Sequence, residues 1–465
     1  MKGMSTRDHR SSIVVAALSA AFGAALIQTT AYLAVMISAD RMAEHTSVRV
    51  ALVMVAGVFI IIAVYVGAIV TANTFATIIA GRTKTIALLR LIGSSASAVR
   101  RSVAREGLAV GVIGSIVGAV VGLGLTVAAI RIAVATGAVP DLSYGTVDPL
   151  VTLPVVIVVL STWLASWVGS RKVLSVSPIQ AVGAAQEPTR EEIVARPVRN
   201  AVACVFFFGG LLLLALGLLL GLVSMLGFPV AFFGGLVSFT GIVIGAHRVM
   251  PPVLGLSGRL LGRSAPARMA AENALRYPER SSRTAIGLVI GVTLITTFAV
   301  ASHGYSDMIL RAQASEPQNY RGVGQILAVT FGVVTVLIGF SAVIAAIGMI
   351  NNLSLSVMQR TRELGLLRAL GFTARQVRGM IVAESAQLII SSVGLGLVLG
   401  VLYGWAGAQS LLGAIPGGPG LVWPSVPWPV LATLAVGATA LTFAAAQAPA
   451  HRAVSIAPVA ALAVE

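Results

Sequence analysis

The sequence predicts an all-α, polytopic membrane protein with about ten transmembrane helices. Its 465 residues are 57% hydrophobic and 10% charged, and the mean hydropathy is +0.95. An average soluble domain carries about 25% charged residues. Eight long stretches contain no Asp, Glu, Lys or Arg, and a spanning helix needs about 20 apolar residues. These stretches are 11–39, 50–81, 107–130, 149–170, 200–247, 284–306, 322–359 and 385–451.

Two of these stretches are long enough for two spans each. Turn-forming residues divide them, at Gly221, Gly227 and Pro229 in the first and at residues 416–420 in the second. The first apolar run is longer than the core of a typical signal peptide, so we expect it to be retained as a span. The predicted spans lie near 13–37, 50–72, 107–132, 151–170, 200–222, 228–248, 285–303, 325–350, 380–407 and 428–449.

The basic residues predict the orientation. With both termini in the cytoplasm, 27 of the 32 Lys and Arg residues fall on the cytoplasmic side. The net charge of +16 is therefore mainly a topology signal, with anionic lipid head groups as its expected contacts. Nucleic acid is not an expected partner, because no soluble basic domain is present. We expect the plasma membrane of a bacterium as the location.

The chain contains an internal repeat with an offset of 278 residues. Asn73 matches Asn351, Arg82 matches Arg360 and Glu106 matches Glu384. Each repeat holds four predicted spans and starts from the cytoplasm, so the two are parallel. The predicted architecture is 4+2+4: a first four-helix repeat at 1–172, a linker at 173–199, a central two-helix hairpin at 200–248, a linker at 249–283 and a second repeat at 284–465. We expect both linkers to form short surface helices.

The most polar part of the repeat lies in the cytoplasm between its second and third spans. Leu364, Leu367 and Leu370 recur every three residues among charged positions, which predicts a short amphipathic helix with these leucines on one face. Gly371 suits its C-cap. Such a helix either rests on the lipid surface or docks a cytoplasmic partner. Two copies at symmetric positions favour docking to a twofold partner.

The second copy of this segment, residues 362–371, reads RELGLLRALG and resembles the signature of FtsX-like permeases of ABC transporters. Residues 273–280, ahead of the seventh span, are similar to the lead-in of a repeat in that family. The first copy is degenerate, because Thr85 stands where Glu363 stands in the second.

The resemblance implies that this segment is a coupling helix that contacts a separate ATPase. The implied contacts in the second copy are Arg360, Arg362, Glu363, Leu364, Gly365, Leu367, Arg368 and Gly371. Those in the first copy are Arg82, Lys84, Ile86, Leu89, Arg90 and Gly93. Two such sites on one permease chain suit an ATPase dimer.

We expect no cofactor in this chain, with ATP and Mg²⁺ bound by the partner ATPase. A phosphate-binding loop needs G-x-x-x-x-G-K-[ST], and none of the three lysines, Lys2, Lys84 and Lys172, follows that pattern. We identify no catalytic constellation, and the five histidines have no metal-ligand spacing. The chain is expected to be a permease rather than an enzyme.

The third and ninth spans carry glycines every three or four residues. This spacing lets helices pack closely in lipid. The glycines are Gly107, Gly111, Gly114, Gly118 and Gly122 in the first copy and Gly396, Gly400 and Gly404 in the second.

The leading functional hypothesis is export of a lipophilic or amphiphilic compound. The expected outer loops at about 37–48 and 303–322 are too short to pack as domains, which favours a substrate that enters from the membrane. One alternative is a non-transporting signalling subunit that acts on a partner outside the cell. Another is an ion-coupled secondary transporter, which the lack of ionisable residues in mid-membrane disfavours.

Overall fold

The computed structural model describes residues 6–38, 92–170 except 138, 197–260, 278–318 and 366–437, together with isolated positions such as Leu88 and Met269. The described chain is almost entirely helical and contains no strand. Its helices are α1 (Thr6–Ser38), α2 (Ala96–Ala135), α3 (Thr152–Gly169), α4 (Pro197–Gly221), α5 (Gly227–Ile244), α6 (Ala246–Leu260), α7 (Pro278–Ser315), α8 (Ala374–Leu412) and the short α9 (Trp428–Gly437). The predicted all-α class is confirmed.

Seven of these helices, α1 to α5, α7 and α8, are long and apolar enough to cross a membrane. The predicted spans near 50–72 and 325–350 lie almost wholly outside the described residues, and the tenth is described only as α9. The ten-span, 4+2+4 arrangement therefore stays a prediction. The predicted turn between the fifth and sixth spans is confirmed, because α4 ends at Gly221 and α5 begins at Gly227.

Several helices run well beyond the predicted spans. α2 begins at Ala96 rather than 107, and α8 begins at Ala374 rather than 380. The expected outer loop at 303–322 is wrong over most of its length, since α7 continues to Ser315. Hydropathy marks the lipid-facing part of a helix, whereas backbone hydrogen bonds continue through residues such as Arg and Gln, which are good helix formers.

The first of two compact units comprises residues 1–186. In it, α2 packs against both α1 and α3 through its glycines. Gly107 and Gly111 lie against Ser166 and Thr162 of α3. Further along, the glycine contacts pass to α1: Gly114 lies against Ala16, Gly118 against Ala17 and Gly122 against Ala21.

The second unit comprises residues 187–465 and repeats this packing. α8 lies against α7, where Gly396 contacts Val292 and Gly400 contacts Thr296. With the 278-residue offset, these two glycines correspond to Gly118 and Gly122. The central hairpin of α4 and α5 also closes on glycines, which are Gly210, Gly217, Gly227, Gly234 and Gly241.

The helix α6 occupies the start of the expected cytoplasmic linker at 249–283. It is not simply a surface helix, because its Met250 and Leu254 are fully buried within the second unit. Pro251 and Pro252 lie inside it.

A buried glutamine holds the described loop that follows α2 in the first unit and the one that follows α8 in the second. Gln28 of α1 donates its Nε2 hydrogen to the Gly145 carbonyl at 3.2 Å and accepts from the Asp148 N–H at 2.9 Å. Gln409 of α8 pairs likewise with the Gly420 carbonyl at 2.7 Å and the Val422 N–H at 2.9 Å.

Tyr144 lies in the first of these loops, edge-on to Tyr32 of α1. Burial, and then the negative charge of Asp141, raise the pKa of the Tyr144 hydroxyl. The hydroxyl therefore stays protonated near neutral pH and donates to the Pro140 carbonyl at 2.8 Å.

Replacing Gly118 with alanine should destabilise the first unit. A Cβ at this position would overlap the Ala17 carbonyl, and overpacking typically costs about 1–3 kcal/mol. Gly124→Ala is the matched control on the same helix, because its Cβ would meet open space. The thermal unfolding midpoint in detergent should fall for Gly118→Ala and hold or rise for Gly124→Ala. Equal midpoints for the two variants would contradict the close α1–α2 contact.

Candidate functional site: the two repeated turns

The repeated polar segment is described where it joins the long helices α2 and α8. We call residues 366–373 the second turn, and Leu88 with residues 92–95 the first turn. Leu367, Arg368, Gly371 and Gly93 lie within them. The other predicted coupling residues lie outside the described residues: Arg360, Arg362, Glu363, Leu364 and Gly365 in the second copy, and Arg82, Lys84, Ile86, Leu89 and Arg90 in the first.

Gly371 ends the helical part of the second turn in a left-handed conformation, with φ +97°. The Phe372 N–H donates to the Leu367 carbonyl at 3.1 Å, and the Gly371 N–H donates to the Arg368 carbonyl at 3.1 Å. This pair of hydrogen bonds is a Schellman motif, which satisfies the last carbonyls of a helix. The C-cap predicted at Gly371 is confirmed.

Gly93 gives the first turn the same backbone geometry, with φ +95°. The Ile92 N–H donates to the Leu88 carbonyl at 3.2 Å, and the equivalent bond in the second turn, from Leu370 to Leu366, measures 2.9 Å. The two copies therefore end their helical turns alike, although their sequences differ upstream.

A side-chain cap starts the long helix directly after each turn. Ser95 Oγ accepts from the Ala98 N–H at 3.2 Å at the start of α2. At the equivalent place, Thr373 Oγ1 accepts from the Gln376 N–H at 3.3 Å, and Gln376 Oε1 accepts from the Thr373 N–H at 2.9 Å. This reciprocal pair is a capping box. Only Phe372 lies between Gly371 and Thr373, the N-cap residue from which α8 begins.

The inner side of the second turn packs against the base of α8. Leu367 and Phe372 lie against a cluster of Val377, Met380 and Ile381. Met269, which precedes α7 in the chain, packs against the same cluster. Leu367 and Phe372 occupy the two positions whose apolar side chains accompany a Schellman motif.

The outer side of each turn exposes a pair of large apolar side chains. Leu366 is 52% exposed and Leu370 is 70% exposed. Their equivalents in the first turn, Leu88 and Ile92, are 50% and 79% exposed. We call Leu366 with Leu370, and Leu88 with Ile92, the exposed apolar pairs.

The predicted face of Leu364, Leu367 and Leu370 is wrong within the described turn. Leu367 is half-buried against the α8 base, while Leu370 points away from it. The glycine cap requires the inward contact of Leu367, so the exposed partner of Leu370 is the residue one turn earlier, Leu366. The repeat itself carried the missing signal, because Leu88 matches Leu366 at the 278-residue offset.

The structure also shows a polar clamp between α6 and α8 that the sequence reasoning missed. The fully buried Gln387 donates its Nε2 hydrogen to the Leu254 carbonyl at 2.8 Å, and Ser391 Oγ lies 2.6 Å from Ser257 Oγ. The equivalent positions of α2 are Ala109 and Ile113, both exposed. The polar pair at positions i and i+4 of an apolar span was the available signal.

None of the described His, Cys, Asp and Glu side chains form a group of three that could hold a metal ion. What the two turns present is apolar surface on a capped helical end. Such a surface binds a partner by burying area, at about 25 cal/mol per Å².

A sequence model of the FtsX-like permease C-terminal domain matches the chain twice, at residues 57–178 and 335–458. Together the two matches cover more than half of the chain. The chain belongs to the FtsX-like permease family. The two matches begin 278 residues apart, and each contains one of the two turns.

Curated relatives of this permease are similar over shorter segments. The uncharacterized ABC transporter permease YknZ of Bacillus subtilis (strain 168) is 32% identical over 117 residues, which are 25% of this chain and 28% of YknZ. The ABC transporter permease YtrF of the same organism is 32% identical over 76 residues, 16% of each chain. The uncharacterized ABC transporter permease MJ1507 of Methanocaldococcus jannaschii is 32% identical over 75 residues, 15% of this chain and 19% of MJ1507. The alignments thus span less than a third of the relatives' lengths.

Replacing Gly371 with alanine should loosen the second turn. A non-glycine residue in the left-handed conformation costs about 1–2 kcal/mol. Hydrogen exchange of the amides in residues 370–373 should accelerate by about tenfold, since 1.4 kcal/mol corresponds to that factor. Gly394→Ala on the exposed side of α8, where a Cβ meets open space, is the control and should leave this exchange unchanged. Unchanged exchange in Gly371→Ala would argue against the cap.

Proposed function

We propose that this permease is the membrane subunit of an ABC transporter, driven by a separate ATPase, and that it exports a lipophilic or amphiphilic compound. The observation that carries the proposal is the pair of equivalent turns. Each has an exposed apolar pair on its outer side and continues into a helix long enough to span the membrane.

The proposed partner is an ATP-binding subunit, present as a dimer on one permease chain. All three relatives are named as ABC transporter permeases. Two turns with the same backbone geometry on one chain suit a partner with two equivalent grooves. The membrane of a bacterium, with both chain termini in the cytoplasm, is the proposed location.

Movement of a docked turn would reach the membrane through the capped corner. Leu367 and Phe372 tie the second turn to the base of α8, so a force on the turn acts on α8 rather than on a flexible tether. α8 lies close to α7 along Gly396, Gly400 and Gly404, which favours joint movement of the two helices. In the first unit, α2 lies close to α1 along Gly114, Gly118 and Gly122, which favours joint movement of these two helices.

The outer side of the second unit offers a surface for a substrate. An open groove of about 460 Å³ is lined by Arg311 and by residues 419 and 421–425. Trp423 is 90% exposed there, and Leu421 is 62% exposed. Arg311 at its edge is paired with Asp307 at 2.8 Å, so the groove combines apolar and polar contacts, as an amphiphile requires.

The docking proposal predicts a specific effect of charge in an exposed apolar pair. Leu366→Glu with Leu370→Glu should reduce ATPase recovery in a pull-down from native membranes by at least tenfold, because two buried apolar contacts would be lost. Leu88→Glu with Ile92→Glu should act in the same direction.

The matched control is Ala374→Glu, which adds a carboxylate one residue after the Thr373 cap. An acid in the first turn of a helix is favoured by the helix dipole, so α8 should remain intact and the ATPase should stay bound. Undiminished ATPase recovery with the leucine variant would refute docking at the second turn.

Charge reversal tests the two copies against each other. Arg362→Glu with Arg368→Glu should lower ATPase association more than Lys84→Glu with Arg90→Glu, because the first copy lacks the equivalent of Glu363. The amount of permease in the membrane fraction should stay constant. An equal or larger loss in the first copy would contradict the asymmetry.

Export is tested separately from docking. The complex in vesicles should move a fluorescent amphiphile in an ATP-dependent manner. A complex that hydrolyses ATP but binds only a folded protein on its outer side would replace export with signalling.

A further inference from the structure

The long helix α2 carries two arginines that are absent from the second copy of the repeat and are not buried in helix packing. Arg101 and Arg105 are both exposed and lie one turn apart. Neither makes an ion pair or hydrogen bond to another described side chain. The single acid of α2, Glu106, is half-buried and has interactions of its own. The equivalent positions in α8 are Gly379 and Ala383, so the pair is absent from the second copy.

The same helix face continues as an exposed apolar stripe. Leu108, Val112 and Ile116 follow Arg105 at intervals of three and four residues and are 42%, 39% and 54% exposed. In a spanning helix this stripe faces lipid chains. The two arginines therefore stand at the end of a lipid-facing surface.

The length of α2 places these arginines at head-group depth. Its 40 residues extend about 60 Å, against a hydrocarbon core of about 30 Å. Arg105 and the exposed Arg131 near the other end are about 39 Å apart along the axis, close to the 40–45 Å between the two head-group layers. Arg101 lies about 6 Å further out than Arg105.

Aromatic residues mark the same depth on the neighbouring helix. The guanidinium carbon of Arg100 lies 3.8 Å from the centre of the Trp167 ring, and Trp163 stacks with Trp167 at 6.2 Å. Tryptophan is enriched where a helix crosses the membrane–water interface. Because Arg100 is engaged with Trp167, the neighbouring Arg101 and Arg105 are the cations that face outward.

We infer that Arg101 and Arg105 form a binding site for an anionic phospholipid in the leaflet that the positive-inside pattern assigns to the cytoplasm. The two guanidinium groups bind the head-group phosphate, and an acyl chain lies along Leu108, Val112 and Ile116. Charge complementarity decides the occupant, since two exposed arginines that pair with no described acidic side chain favour a lipid with net negative charge over a zwitterionic one.

The test uses the full-length permease, purified in detergent and titrated with phosphatidylglycerol or phosphatidylcholine, with bound lipid counted by native mass spectrometry. The wild-type chain should retain phosphatidylglycerol preferentially. Arg101→Gln with Arg105→Gln should weaken this retention by about 30-fold, and each single variant by about 5-fold, because an arginine near the membrane contributes about 1 kcal/mol. Arg131→Gln, at the other end of α2, is the control and should change nothing.

Four results would overturn the site. One is phosphatidylglycerol retention that is unchanged in the double variant. Another is an equal loss in Arg131→Gln, which would show a general charge effect. The third is a double variant that retains the lipid but loses the ATPase in a pull-down, which would show that the two arginines contact the ATPase. Soluble glycerol 3-phosphate should not displace the lipid at equal concentration, and displacement would show that the stripe contributes no binding.

Discussion

Close approach of helix backbones at glycine is the constraint on which the described structure depends. A polar or bulky residue at Gly118 or Gly400 would separate the helices that carry the turns from the helices beside them. Apolar helices gain little from contact with one another in lipid, because lipid chains are equally apolar. Close packing must then determine which helices pair. In both compact units it acts on equivalent helices, α1 with α2 in the first and α7 with α8 in the second.

The turns depend on this packing for any mechanical role. A partner that pushes on an exposed apolar pair acts on a helical end held by a glycine cap and by Leu367. The cap fixes the angle between the second turn and α8, and the glycine contacts hold α8 against α7. A rigid connection of this kind transmits displacement, whereas a polar loop of the same length would absorb it.

Much of the fold was accessible from the sequence because lipid imposes simple rules. Charge-free stretches located the apolar helices, and the 278-residue repeat identified the two turns and the cap at Gly371. The helix ends were harder, since Ala96–Glu106 and His303–Ser315 are helical without being apolar. Hydropathy shows whether a segment lies in lipid or in water, whereas a helix can continue across the boundary between the two.

The faces of the turns were only partly predictable. The spacing of three residues predicted that Leu367 and Leu370 share one face. In the structure, Leu367 packs against the base of α8, and Leu366 is the residue exposed together with Leu370. The clamp of Gln387 and Ser391 on α6 was not predicted either, because its acceptor at Leu254 is a backbone carbonyl. The amino-acid sequence does not show which backbone carbonyl will accept a side-chain hydrogen bond.

The clamp makes the two repeated helices unequal in the residues they can tolerate. In the first copy, the face of α2 equivalent to the clamp carries Ala109 and Ile113, both exposed. A glutamine facing lipid is costly, because nothing there accepts its hydrogen bonds. Gln387 is therefore tolerable only once α6 covers it. Separation of α6 from α8 would therefore expose a buried glutamine to lipid, so the second copy depends on α6 for its stability.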